Sequence, residues 1–263
     1  MNRTEPDTLD LGGGADVRLP SCTVMVDSSA STAAVAQGSS KLLAAATNVV
    51  GGYSGDAFTP TPQTGIQPFT DPLAGVAAPP VGSCDHTSVV TISANRTLLP
   101  GTYCGGINIK KGTTTLRPGL YVINEGGLNV ASGASIKGEE VTIYNTYTDP
   151  KFFQPFNMAS NYPNVVQLTA PTSGAYKGVL LFQDRRVTRG YKNYLTKNEG
   201  TVYEGYLYFP SSPLRFTGGE TWEVNPAKMV LIADMIELRG NIEIVSPGEE
   251  RLPGGTGDVR LVE

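Results

Sequence analysis

The chain has 263 residues, a net charge of −4 and only 17% charged residues, against roughly 25% in an ordinary soluble domain. That length can bury a large core. So small and dispersed a charge argues against a dedicated nucleic-acid or anionic-membrane surface, and no stretch reaches the ~20 apolar residues of a membrane-spanning helix.

The opening residues, Met1-Asn2-Arg3-Thr4-Glu5-Pro6, lack the apolar centre of an export signal. The chain is therefore either cytosolic or an excised part of a longer exported protein, and its Ser/Thr/Gly-rich composition favours export. Residues 39–47 have helical composition, Lys41-Leu42-Leu43-Ala44-Ala45-Ala46, but Gly38, Gly51 and Gly52 flank them. A short strand or a single helical turn fits equally well. Residues 53–83 carry Pro60, Pro62, Pro68, Pro72, Pro79 and Pro80 with little alternation. They read as an extended, proline-stiffened arm packed along the body through Phe58, Phe69 and Leu73.

Next the chain repeats itself. Thr97-Leu98-Leu99-Pro100-Gly101-Thr102-Tyr103 returns 18 residues later as Thr115-Leu116-Arg117-Pro118-Gly119-Leu120-Tyr121. Gly105-Gly106-Ile107-Asn108-Ile109 returns 21 residues later as Gly126-Gly127-Leu128-Asn129-Val130. Such a period is too long for a hairpin and too short for a propeller blade, and it points to stacked turns of chain. Cys84 and Cys104 are 20 residues apart, about one repeat, so they fall on adjacent turns at ~4.8 Å spacing, within reach of a disulfide. Cys22 is then left as a small buried apolar residue.

Alternation continues through Val141/Ile143, Ile236/Leu238 around Glu237, and Ile242/Ile244 around Glu243, the period-2 pattern of strands with one buried face. Residues 147–163 hold Phe152, Phe153, Phe156 and Tyr162, too many aromatics to leave exposed in a loop. Three runs break the alternation: Val179-Leu180-Leu181-Phe182, Tyr206-Leu207-Tyr208-Phe209 and Met229-Val230-Leu231-Ile232. Strands apolar on both faces are buried on both. The three should stack as one sheet whose outer face is covered by the arm, by the aromatic loop or by another subunit, and cover from within the chain is favoured. Residues 184–201 form a basic, tyrosine-bearing loop. The expected fold is all-β: a single right-handed parallel β-helix over residues 1–263, with the arm and loops packed on its side.

Several phrases resemble one family. Gly178-Val179-Leu180-Leu181-Phe182-Gln183-Asp184-Arg185, Gly205-Tyr206-Leu207-Tyr208-Phe209-Pro210-Ser211-Ser212-Pro213-Leu214, Asp71-Pro72-Leu73-Ala74-Gly75 and Leu99-Pro100-Gly101-Thr102-Tyr103-Cys104-Gly105-Gly106 are similar to the C-terminal region of bacterial TadG-like proteins. These are linked to assembly of tight-adherence (Flp-type) pili. The resemblance covers roughly residues 10–245 and implies an envelope location, pilus-assembly or cell-surface partners, and a membrane anchor in a segment this chain lacks. The family pattern also places cysteines near Asn48 and Ile66, where this chain has none. It supplies no catalytic residues, no metal and no cofactor.

Candidate chemistry is sparse. Gln183-Asp184 with Arg185 and Arg186 superficially resembles the Gln-Asp segment of pectin methylesterases, with Asp234 as a possible second carboxylate about two turns away. The second aspartate phrase of those enzymes is absent. The competing reading pairs Asp184 with Arg185, or has it cap a turn. His86, the single histidine, reads as a turn residue and not a metal ligand. Arg189, Tyr191, Tyr194 and Tyr203 could form an adhesive surface in which tyrosine rings stack on sugars beside basic donors; the alternative packs these tyrosines onto the body. The sequence thus favours a non-enzymatic extracytoplasmic structural or adhesive domain, with pilus-assembly proteins, cell-surface proteins or glycans as partners. A carbohydrate-active enzyme using Asp184, Arg185 and Asp234 stands second.

Overall fold

Short alternating segments dictate the architecture. Ile107 and Ile109, Leu128 and Val130, and Ile236 and Leu238 point into one core, while Asn108, Asn129 and Glu237 between them point outward. A computed structural model describes residues 4–158, 165–188, 190–196, 200–217, 221–224, 228–240 and 242–245. In it strand is the dominant regular element of the described residues, beside one three-residue 3-10 turn at Pro150–Phe152, and the strands pair in parallel.

Three ladders result. The first runs through Gly101–Cys104, Gly119–Asn124, Val141–Thr146, Val179–Gln183, 205–209 and 229–233. The second begins with Val90–Ile92, Ile107–Ile109 and Leu128–Val130. Bridges at Asn157 and Tyr194 carry it on to 213–217 and 235–239. The third takes Arg96–Leu98, Gly112–Leu116, Ala134–Gly138, Val165–Thr169 and 202–204. The sequence echoes are visible in the register: Thr97 lies beside Thr115, 18 positions on, and Asn108 beside Asn129, 21 positions on. The three apolar runs stack as expected, with Phe182 beside Tyr208 beside Ile232.

The repeated Pro-Gly phrase has a physical reason. In both copies the tyrosine hydroxyl donates back to the carbonyl four residues earlier, Tyr103 to Leu99 (2.6 Å) and Tyr121 to Arg117 (2.8 Å), which locks the corner between two strands. Gly119 has φ +138°, and a Cβ there would lie 2.5 Å from Pro100 Cγ in the corner beneath. Only glycine lets successive corners stack.

The order of strands in space is not their order in the chain. Leu9–Gly12 pairs in parallel with 236–239, then with Ala34–Ala36, which pairs with Tyr53–Ser54. Likewise Glu243–Val245 is followed by 16–18, then 41–43, then Phe58–Thr59. The N-terminal strands therefore extend the stack beyond the C-terminal ones. Residues 41–49, ambiguous in sequence, are strand, because two parallel neighbours satisfy their backbone groups.

The chain must next return to the opposite end of the stack, and the proline-rich arm makes that return. Ten rungs of the second ladder span about 43 Å at strand spacing, well within the ~60 Å reach of the 20 or so residues after Thr64. The arm is shorter than its proline content suggests: residues 53–64 form short strands that close the stack, and the arm proper starts after them. It covers the outer face of the first ladder, where Leu73, Phe69 and Val76 pack on Val122, Tyr144, Phe182, Tyr208 and Ile232. Cover for the doubly apolar strands thus comes from within the chain. The aromatic loop adds Phe153 and Phe156, both buried, with Phe156 edge-on to Phe209. Phe152 is exposed, and Tyr162 lies outside the described residues.

At the far end the arm is stitched to the first rung. Cys84 and Cys104 are bridged with Cα atoms 5.7 Å apart. Asp85 Oδ2 accepts from the Thr102 amide at 2.8 Å, and the Cys104 amide donates to the His86 carbonyl. Cys22 is fully buried. Replacing Cys104 with serine is expected to lower unfolding stability by about 3 kcal/mol, the chain-entropy value for a loop of this size, read as a shift of the denaturant midpoint. An unchanged midpoint would mean the arm's end is held by its backbone bonds alone.

Candidate functional site

The turn after Val179–Gln183 gathers the residues that the sequence marks out. Asp184 is 4% exposed. Its carboxylate accepts from Thr146 Oγ1 at 2.5 Å, from Tyr144 Oη at 2.9 Å, and from the Arg186 amide at 2.8 Å. Arg186 Nη2 adds an ion pair at 2.7 Å. Burial pushes this carboxyl up, but the bonds from Arg186, Thr146 and Tyr144 outweigh it and hold Asp184 below the usual aspartate value. Burial drives the Tyr144 hydroxyl up to about 12. Asp184 does cap a turn, yet its cationic partner is Arg186 and not Arg185. Its lone pairs are filled by structural donors.

Arg185 faces the arm. Its guanidinium sits about 5 Å from the ring centroids of Phe182 and Tyr208 (5.0 and 5.1 Å). It donates to the carbonyls of Leu73 (2.6 Å) and Val76 (3.0 Å) and to Tyr208 Oη (2.9 Å). Tyr208 Oη in turn donates to Asp71 Oδ2 at 2.5 Å, and Asp71 Oδ1 accepts from the Leu73 amide. Burial raises the Tyr208 hydroxyl and keeps it a donor. The phrases around Asp71, Arg185 and Tyr208, far apart in sequence, therefore meet in one joint.

Asp234 stands on a different strand from the one whose end carries Asp184. Each follows by two residues one of the register mates Phe182 and Ile232, which stand two strands apart, a separation of ~9–10 Å. Both are buried. The tyrosine surface is also not assembled as the sequence suggests. Tyr203 is 4% exposed and belongs to the core, because it lies in register with Leu168 on an inward-facing position. Tyr191 packs edge-on to Phe153 and donates to the Pro150 carbonyl. Tyr194 is half-buried and bridges to Asn157. Arg189 lies outside the described residues. His86 stacks on Tyr103 with ring centroids 4.5 Å apart.

A different grouping emerges on the outer side of the second ladder. Asn108, Asn129, Asn157, Tyr194, Arg215, Glu237 and Asp10 occupy successive rungs in register. The asparagines are chained, with Asn129 donating to Asn108 at 2.8 Å and Asn157 to Asn129 at 3.0 Å. Glu237 is held by Lys192 Nζ at 2.6 Å and Arg215 Nη1 at 3.9 Å. Asp10 Oδ2 pairs with Arg239, while burial, stronger than that pairing, raises the Asp10 carboxyl. The row thus sets one polar side chain on each ~4.8 Å rung.

No family model matches the chain, and neither a curated protein nor a solved structure matches it.

The chemistry must therefore be read from the residues themselves. Adjacent carboxylates in unlike environments are the pattern of an acid–base pair. Asp10 and Glu237, however, are only 6% and 8% exposed, and each is already paired with a cation: Arg239 with Asp10, Lys192 and Arg215 with Glu237. The two are register partners where the N-terminal strand meets the C-terminal one. The sequence carried a faint signal for them: a charged residue between two inward aliphatics, Leu9-Asp10-Leu11 and Ile236-Glu237-Leu238. Their adjacency had none, since the two strands come from opposite ends of the chain.

Proposed function

We propose that this chain is an extracytoplasmic structural and adhesive domain of a bacterial envelope, built as a right-handed parallel β-helix and related to the C-terminal region of TadG-like proteins of tight-adherence pili. Parallel ladders whose register repeats the 18- and 21-residue echoes support the β-helix. The observation that carries the functional reading is the joint of Asp71, Arg185 and Tyr208. Three of the phrases behind the family resemblance serve there to fasten the arm, which is the work of a scaffold. The Cys84–Cys104 bridge fits an oxidising compartment, and among the described residues no helix is long and apolar enough to cross a membrane. The carbohydrate-active alternative loses support because the donors around Asp184 and the arm carbonyls on Arg185 already occupy both residues.

The polar row, centred on Tyr194 and Arg215, is the proposed contact surface. The test is a glycan array, together with capture of purified tight-adherence pilus-assembly proteins, using the disulfide-bonded chain. Binding without turnover is expected, and Tyr194→Ala should weaken it about three- to tenfold, the worth of one stacking aromatic. Turnover of any bound glycan, or binding to neither class, would overturn the reading.

A further inference from the structure

The seam where the N-terminal strand joins the C-terminal one is built on a like-charged pair. Asp10 and Glu237 are register partners in adjacent parallel strands and point to the same outer side. Both are buried. The cations nearby are already engaged: Arg239 with Asp10 Oδ2, and Lys192 and Arg215 with Glu237. Asp10 Oδ1 is buried with no hydrogen-bond partner among the described residues. Asp7, just before the strand, adds a further negative charge, and the strand on the other side offers only apolar Val35 as the register partner of Asp10.

An ionised Asp10 thus sets a second negative charge on the rung beside Glu237, with one oxygen unsolvated and unpaired. A protonated Asp10 removes that charge. We propose that the Asp10–Glu237 pair is a proton-operated joint: with a proton on Asp10, Leu9–Gly12 is held fully against 236–239, and loss of that proton loosens the N-terminal strands from the rest of the stack. The direction of the Asp10 shift agrees. A carboxyl raised by folding lends stability that is complete below its ordinary value and is lost as pH rises through the raised one. The proposal stands apart from the adhesive reading, and each can fail alone.

Hydrogen exchange of the intact chain tests it, with rates converted to protection factors at each pH. From about pH 4 to about pH 8, protection of Leu9–Gly12 and Ile236–Leu238 is expected to fall by about tenfold for each unit by which Asp10 is raised, while Gly119–Asn124 stays level. In Asp10→Asn the seam should lose this pH dependence. Glu237→Gln should move the fall to lower pH, because Asp10 then ionises beside one negative charge fewer, with Asp7 remaining; a residue that merely packs would not shift the midpoint. Seam protection that tracks Gly119–Asn124 at every pH would overturn the joint, as would an Asp10→Asn profile with the wild-type slope. If Asp10→Asn does not fold, Glu237→Gln decides: a shifted midpoint supports the joint, and an unshifted one overturns it.

Discussion

Asp184→Ala is expected to destabilise the protein by about 3–5 kcal/mol, the range for removing one partner of a buried charged network. The loss has two sources. The carboxylate's own bonds disappear, and the hydroxyls of Tyr144 and Thr146, both buried, lose their acceptor. Arg186 contributes less than its 2.7 Å contact suggests, because its side chain is 58% exposed and screened by water. Arg186→Ala should therefore cost under about 1 kcal/mol, and the contrast between the two variants is the check. Chemical denaturation measures both. A loss below about 1 kcal/mol for Asp184→Ala would show that the turn does not depend on its carboxylate and would return Asp184 to the pool of available acids.

The same residue sets an acid limit. Folding lowers its value, so the stability it lends is complete above the ordinary aspartate range and drains away as pH falls through the lowered value. Asp10 acts in the opposite sense. Acid should thus weaken the turn at Asp184 while it tightens the N-terminal seam. Region-resolved exchange would show the two trends crossing.

Arg185→Ala is expected to cost about 2–4 kcal/mol, from charge-assisted bonds to two arm carbonyls and a cation resting on two aromatic rings. Its readout is local. The arm proper, with Leu73 as its anchor on the outer face, should become a site of rapid proteolysis while the ladders stay protected. Asp71→Asn should reproduce part of the effect, since Tyr208 donates to Asp71 and accepts from Arg185. The double variant should be non-additive by at least about 0.5 kcal/mol, as expected for residues in one network. A wild-type cleavage pattern in Arg185→Ala would mean that the apolar contacts of Leu73 and Phe69 alone hold the arm.

Much of the architecture is legible in the residues. Alternation at Ile107/Ile109 and Leu128/Val130 marks strands with one buried face, and the repeated Pro-Gly-x-Tyr phrase marks a stacked corner, because both patterns are local consequences of backbone geometry. The Cys84–Cys104 spacing likewise reports one turn of chain. The helical composition of residues 41–46 misleads, since propensity yields to the two parallel neighbours that this segment finds.

The site was far less legible. A tyrosine in a basic stretch reads alike whether it faces water or core, and only the register beside Leu168 sends Tyr203 inward. Arg185 next to Asp184 invites a pair, but successive residues at a turn diverge, one toward Arg186 and the other toward the arm. The alternating strands from Ile107 onward, the stacking period and the disulfide were readable from the residues, because all depend on separations of about one turn. It takes the assembled fold to stack the N-terminal strands on the C-terminal ones and to bring the arm back over the first ladder. The same holds for Asp10 meeting Glu237. These contacts join segments more than a hundred residues apart, where no periodicity reaches and only the burial of complementary edges and faces selects the partner.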